Sequence, residues 1–179
     1  MESPPLAHGI PTERLLMNPV ADLILGFQNL IAQLPEWAQP LIVFVAGAVP
    51  FIEGEGAASI GIIGGINPVI AAIAGALGNF VAVAIVVLLG AQIRAALTRS
   101  KPRKPASARK EKFQKAFHRY GVVGVSLLGP LLLPTHFTAA ALVGTGVPKA
   151  RVLLWQGVAI VLWTTLLTLI ITGVIAVAV

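Results

Sequence analysis

The stretch "VPFIEGEGAASIGIIGG", residues 49–65, decides the fold because it places two carboxylates in an apolar, glycine-rich run. Glu53 and Glu55 are two of only seven acidic residues in a chain of 179. Charged side chains inside a membrane segment are rare and are usually functional. The position of this pair therefore decides between a membrane-embedded site and a solvated loop.

Composition predicts an all-α integral membrane protein. The chain is 56% hydrophobic and 11% charged, whereas a soluble domain carries roughly a quarter charged residues. The runs 68–93 and 152–179 hold no charged residue, and each exceeds the roughly 20 residues that cross a hydrocarbon core of about 30 Å. Residues 1–14 lack the pattern of a secretory signal, so we expect this segment to be retained. The sequence has no cysteine, which excludes disulfides and thiolate metal sites.

A basic segment separates the two long apolar runs. Ten of the thirteen lysines and arginines lie between Arg94 and Arg119, together with one acid, Glu111. A basic run can bind nucleic acid, but between two apolar runs it is typical of a cytoplasmic loop under the positive-inside rule. We therefore expect residues 94–120 to be a cytoplasmic loop, with no nucleic-acid partner.

The second part of this loop, "KEKFQKAFHRYG" at residues 110–121, predicts a short helix on the membrane surface. Its aromatic side chains fall on one face, and basic side chains surround them. Such a helix is attracted to anionic lipids. The basic side chains that we expect to contact lipid are Lys112, Lys115 and Arg119.

Residues 14–34 have helical periodicity, with apolar side chains at spacings of three and four. Because Asp22 is central, an amphipathic helix in the membrane interface fits better than a span. The apolar face could also pack on the other helices, and both arrangements can hold together. Pro35 and Pro40 predict a break around Trp37.

Two short apolar runs, 41–52 and 57–66, precede the first long run. A helix of a dozen residues reaches about 18 Å, which is too short to cross a membrane. Their junction predicts a re-entrant hairpin or a broken helix, which membranes tolerate only where protein or a water-filled cavity surrounds it. The residues that we expect to form this kink are Pro50, Gly54 and Gly56, since glycine permits tight backbone turns.

The same architecture recurs in the second half of the chain. Short runs at 121–133 and 137–147 precede a long run at 152–173, with interruptions at Pro130 and Pro134. Three pairs of residues coincide at an offset of 80, namely Pro50 with Pro130, Gly64 with Gly144, and Pro68 with Pro148. In each half, the hairpin returns to the side of the membrane on which it started, and the following span then crosses. The second half therefore begins on the opposite side of the membrane from the first. The sequence therefore predicts an inverted repeat, a sequence pointer to transporter binding sites.

The predicted organisation has four parts. They are an N-terminal tail with an interfacial helix (1–39), a first hairpin with a transmembrane helix (40–93), the basic loop with its surface helix (94–120), and a second hairpin with a transmembrane helix (121–179). We expect a bacterial plasma membrane protein whose N- and C-termini lie opposite the cytoplasmic loop. Lys149 and Arg151 should share the cytoplasmic side with that loop.

At the first kink, Glu53 and Glu55 have two possible roles. In one, they lie in a solvated loop outside the membrane. In the other, they lie near the middle of the bilayer, where desolvation and mutual repulsion favour one proton shared by the pair near neutral pH. A site of that kind can exchange a proton for a cationic or zwitterionic substrate.

The second kink offers "PTHF", residues 134–137. His136 is the only histidine in an apolar segment, and it is either a relay partner for a carboxylate or a structural side chain. Thr135 and Thr138 can cap broken helices or bind a polar group. Asn79 is a further intramembrane polar candidate, and Gln156 can form a hydrogen bond across helices. The sequence predicts no metal site, no cofactor and no Ser–His–Asp arrangement.

Two segments resemble the small multidrug export protein family. They are "PFIEGEGAASIGIIGGINPVIAAIAGALGN" (50–79) and "FQKAFHRYGVVGVSLLGPLLLPTHFTAAALVGTGVPKARVLLWQ" (113–156), and the second is more distantly similar to the DedA superfamily. The resemblance covers residues 40–173 and implies two re-entrant hairpins that face each other, with a role in drug export or lipid translocation. The DedA pattern usually carries arginines around the second hairpin's proline, whereas "GPLLLPTHF" has none.

Three classes of function follow as hypotheses. The first is a small transporter of an amphipathic cation, proton-coupled through Glu53 and Glu55, or alternatively of a lipid phosphate. The second is a membrane scaffold that organises lipid through its basic loop. The third is a membrane enzyme, which the polar residues alone do not support, so we expect no enzyme. Spans rich in alanine and glycine are compatible with a homodimer.

Overall fold

The computed structural model describes residues 19–98 and 121–178, and these residues form helices and no strand. The elements in chain order are α1 (Pro19–Gln33), α2 (Gln39–Gly47), α3 (Glu53–Ile63), α4 (Pro68–Thr98), α5 (Val122–Leu128), a 3-10 turn (Gly129–Leu131), α6 (Thr135–Thr145) and α7 (Lys149–Ala178). The predicted surface helix, with Lys112, Lys115 and Arg119, lies outside the described residues, as does the segment 1–18.

Helices α4 and α7 are long and apolar enough to cross a membrane, over Pro68–Leu97 and Lys149–Val177. Large apolar side chains such as Ile85 and Leu169 remain exposed on their outer faces. An apolar surface of this extent on a helix suits contact with lipid rather than water. The prediction of an all-helical chain with two membrane-spanning candidates is confirmed in these coarse terms.

The break between α2 and α3 falls earlier than the sequence predicts. The chain turns over residues 48–52, where Pro50 lies, and both acids belong to the first turn of α3. Glycine does not supply the turn, since the left-handed backbone conformations occur at Phe51 (φ 74°) and Glu53 (φ 54°). Non-glycine residues in this region are strained and persist only where the surroundings hold them. The prediction that Gly54 and Gly56 form the turn is therefore wrong, and Phe51 and Glu53 form it instead.

Gly54 has a packing role instead. A Cβ atom at this position would collide with Thr164 Oγ1 and would lie 3.2 Å from Ala76 Cα. Two further glycines bring α2 against α4 in the same way, since Gly47 abuts the Gly75 carbonyl and Gly78 abuts the Phe44 carbonyl. Small residues allow helix backbones to approach this closely. The alanine- and glycine-rich first half of α4 is therefore where α2 and α3 pack closely on it.

Helix α1 packs on α2 and α3 through one side. Phe27 and Ile31 are buried in a cluster with residues of α2, α3 and the start of α4, whereas Leu25 and Leu30 are exposed. The second hairpin has its own apolar cluster, in which Leu142 and other side chains of α5 and α6 meet α4 and α7. Helix α4 contributes to both clusters and so joins the two halves.

The two short helices that precede the long ones end at opposite ends of the bundle. Gly61, near the end of α3, lies against Ala71 in the first turns of α4. By contrast, Arg94 Nε, near the end of α4, donates a hydrogen bond of 3.3 Å to the Gly144 carbonyl at the end of α6. Since α7 begins at Lys149, this residue lies at the same end of the bundle as the C-terminal turns of α4.

Candidate functional site

The tip of the first hairpin meets the tip of the second at Glu53 and Thr135. The backbone N–H of Thr135 donates to Glu53 Oε1 at 2.5 Å, and the Thr135 hydroxyl donates to the same oxygen at 2.8 Å. Glu53 is only 4% exposed. The first N–H groups of a helix lack partners within that helix and favour negative charge. Glu53 therefore caps α6 from the other half of the chain.

The cap comes from Glu53 and not from Thr135 or Thr138, for which the sequence left capping and binding of a polar group as alternatives. Pro134 occupies the N-cap position of α6, and no side chain within that helix caps its first turn. Thr135 sits at the first helical position, where its hydroxyl serves the carboxylate. Thr138 instead donates its hydroxyl to the Thr135 carbonyl at 3.0 Å. Thr135 thus holds the Glu53 carboxylate, and Thr138 bonds to the backbone of Thr135.

His136 is the second group beside this carboxylate. Its Nδ1 lies 3.4 Å from Glu53 Oε1, and the side chain is buried with the residue 6% exposed. Its Nε2 is buried and has no hydrogen-bond partner among the described residues. Protonation of the ring would place an ion pair at the junction of the hairpins. The predicted pairing of His136 with an acid is thus geometrically possible at Glu53.

Asn79, on α4, completes the contact on the far side of Thr135. Its side-chain oxygen lies 3.0 Å from the Thr135 hydroxyl, while its buried nitrogen has no partner among the described residues. A hydroxyl carries one hydrogen, and that hydrogen is directed at Glu53. With the amide rotated, Asn79 Nδ2 donates to the Thr135 hydroxyl, and the hydrogen of that hydroxyl remains directed at Glu53. Asn79, Thr135 and Glu53 then form one directed chain of hydrogen bonds.

Gln156 links this chain to α7. Its Nε2 donates to the Thr138 hydroxyl at 3.1 Å, as expected for a glutamine that bonds across helices. Trp163, also on α7, donates from its indole nitrogen to the Leu127 carbonyl at 2.8 Å. Both bonds place α7 against the second hairpin, and Gln156 brings a fourth helix to the polar centre.

Glu55 occupies a different environment from Glu53. It lines an opening of about 170 Å³ between the hairpin tips, bordered also by Phe51, Glu53 and residues 130–134. Within the described residues, the donor to the Glu55 carboxylate is its own backbone N–H, and no group of the second hairpin donates to it. The rings of Phe51 and Phe137 lie beside this region with centroids 6.1 Å apart, and both are exposed. The opening therefore combines a carboxylate with apolar and aromatic walls.

The polar centre lies near the middle of both long helices. Asn79 follows Pro68, the first residue of α4, by 11 residues, and Thr164 follows Lys149, the first residue of α7, by 15. At a rise of ~1.5 Å per residue these positions lie about 16 Å and about 22 Å from the helix starts. Thr164 touches Gly54, the neighbour of Glu53.

The structure thus brings together Glu53, Asn79, Thr135 and His136, and it keeps Glu55 apart in the adjacent opening. Sequence reasoning missed Phe51, Phe137 and Thr164 as neighbours of the centre. Only Thr164 left a sequence signal, because it recurs with Thr168 and Thr172 at four-residue spacing in an apolar run. In the described ranges, no group of three or more His, Cys, Asp or Glu residues could hold a metal ion.

Comparisons with protein-family models, with curated proteins and with solved structures found no match for this chain.

Proposed function

We propose that this chain is a small membrane transporter that exchanges protons for an amphipathic cation at the junction of two re-entrant hairpins. The observation that carries this proposal is the buried Glu53 carboxylate, which receives hydrogen bonds from the opposite hairpin near the middle of both long helices. Ionisable groups in such positions are expensive to bury and typically serve transport or proton relay.

The proposed inverted repeat is supported by the order and direction of the helices. Two short helices precede a long one twice, as α2–α3–α4 and as α5–α6–α7. Helices α3 and α6 both begin at the polar centre, yet α3 ends near Ala71 and α6 ends near Arg94, at opposite ends of α4. Paired half-helices that start at a common centre are typical of transporter sites.

The two acids have separate roles in this proposal. Glu53, held by two hydrogen bonds from Thr135, keeps the two hairpins joined. Glu55 accepts from its own backbone N–H and from no group of the second hairpin, and burial of a carboxyl group favours its protonated form. Glu55 is therefore the group that releases its proton when a cation enters and regains it when the cation leaves.

The walls of the opening favour an amphipathic cation as substrate. The aromatic face of Phe51, which lines the opening, can attract a cation, and the carboxylate of Glu55 supplies the opposite charge. Leu132 and its neighbours offer an exposed apolar border for the rest of the molecule. The alternative substrate, a lipid phosphate, would be repelled by two carboxylates at the same opening.

Transport by purified protein in liposomes tests this proposal. Uptake of tetraphenylphosphonium, an amphipathic cation, is measured with and without an imposed pH gradient. We expect Glu55→Gln to reduce gradient-driven uptake at least tenfold, since it removes the exchangeable proton. The matched control is Glu36→Gln, because Glu36 is exposed in the break between α1 and α2. Undiminished, pH-dependent uptake in Glu55→Gln would overturn the proposal.

A further inference from the structure

Helix α7 carries a row of buried threonines that the proposed exchange does not use. Thr164 and Thr168 are only 2% and 9% exposed, and their hydroxyls have no hydrogen-bond partner among the described residues. Thr172, one turn further on, is half-buried. At four-residue spacing these three side chains lie on the same face of the helix. They form the threonine row, a polar line inside an apolar helix.

The Thr164 and Thr168 hydroxyls lack partners although their own helix contains carbonyl groups that could accept from them. A threonine can donate to the carbonyl four residues earlier, and Thr172 does so, to Thr168 at 2.7 Å. Thr164 and Thr168 do not adopt that arrangement. Buried polar groups are almost always satisfied by protein or by ordered water. A water partner is the simplest one for two adjacent hydroxyls without a protein partner.

The row leads away from the polar centre in one direction. At its inner end, the Thr164 hydroxyl touches Gly54, which follows Glu53 in the chain. The next members follow at residues 168 and 172, toward the C-terminal end of α7. That end lies opposite Lys149 and the contact of Arg94 with α6. The threonine row therefore connects the centre with the end of the bundle away from the basic segment.

We propose that Thr164, Thr168 and Thr172 line a narrow hydrated path that carries water from the membrane face opposite the basic loop to the hairpin junction. Water is the ligand, held by the hydroxyls as donors and acceptors. Under the proposed function, on which this second role rests, the same path delivers protons to the acids. The hydration itself does not depend on any transported substrate.

Cysteine accessibility tests the path directly, because the chain has no native cysteine. Single variants Thr164→Cys, Thr168→Cys and Thr172→Cys in the full-length protein are placed in liposomes and treated with a small, membrane-impermeant methanethiosulfonate. This reagent reacts with the thiolate form of cysteine, so it modifies only side chains that are in contact with water. The matched control is Thr165→Cys, since Thr165 neighbours Thr164 but is exposed on the apolar outer face of the helix.

We expect all three row variants to react at least tenfold faster than Thr165→Cys, with residue 172 fastest. The reagent should act from the side opposite the one that modifies Ala150→Cys, which marks the start of α7. Reaction of residues 164 and 168 no faster than residue 165 would overturn the path and indicate a dry helix contact.

A second measurement separates this inference from the proposed function. Thr164→Val/Thr168→Val preserves side-chain shape and removes both hydroxyls, and we expect it to slow proton entry into liposomes at least tenfold, with Thr165→Val unchanged. If the row cysteines react rapidly but the protein transports no cation, the hydrated path is supported and the proposed transport function is contradicted. Proton entry at the wild-type rate in the double valine variant would contradict the delivery role.

Discussion

Glu53 caps helix α6 through Thr135, a residue 82 positions later in the chain. A single carboxylate oxygen accepts both the backbone N–H and the hydroxyl of that threonine. The helix that receives the cap and the helix that provides it both begin at this contact. The strained left-handed backbone of Glu53 is therefore part of how the two halves of the protein are held together.

The first prediction concerns the stability of this junction. Glu53→Gln keeps one acceptor oxygen but removes the negative charge at the start of α6, so hydrogen bonds to a charged group become ordinary ones. We expect a loss of about 1–3 kcal/mol in the free energy of unfolding. Unfolding in mixed micelles can be followed by the fluorescence of the three tryptophans. The exposed Glu36→Gln serves as the control, and equal stability of both variants would contradict the junction.

The second prediction concerns the close approach of α3 to its neighbours. Gly54→Ala forces a methyl group against Thr164 and Ala76, which should destabilise the protein by about 1–3 kcal/mol through overpacking. Gly26→Ala, on α1, is the matched control because no atom lies within 4 Å of its added Cβ. The control should be neutral or stabilising, since alanine favours helix more than glycine. A thermal unfolding series that ranks the two variants in the reverse order would refute this packing role.

The third prediction concerns the inverted repeat. If the second hairpin returns to its starting side, cysteines at Ala96 and Ala150 should react with an impermeant reagent from one side of the membrane. A cysteine at Val177 should react from the other side. All three positions are exposed at the ends of α4 and α7. Modification of positions 96 and 150 from opposite sides would mean that α5 and α6 together cross the membrane.

The long helices and the breaks between the short ones could be predicted from the sequence because they depend on local patterns. Runs without charged residues predict α4 and α7, and the prolines at 50, 130 and 134 lie between α-helices. The bounds of α3 could not be predicted in this way. Glycines beside acids suggest a turn, but the close approach of Thr164 assigns Gly54 to packing and leaves the turn to Phe51.

The candidate site was predictable by residue type and not by pairing. Acids, a histidine and an asparagine in apolar segments stand out in any sequence, since their burial is costly. The periodicity of the sequence does not predict that Glu53 contacts Thr135, or that the second hairpin provides no such donor to Glu55. Those relations arise from contacts between distant segments, as does the row of unpartnered threonines, which resembles any polar interruption of an apolar helix.

Proton release on cation binding tests the central claim most directly. Tetraphenylphosphonium is added to purified protein in weakly buffered detergent solution, and the change in pH is recorded. The account predicts release of a proton by the wild type and by Glu36→Gln, because the cation displaces the proton of Glu55. It predicts that Glu55→Gln releases none. Equal proton release by Glu55→Gln and the wild type would contradict exchange at this site.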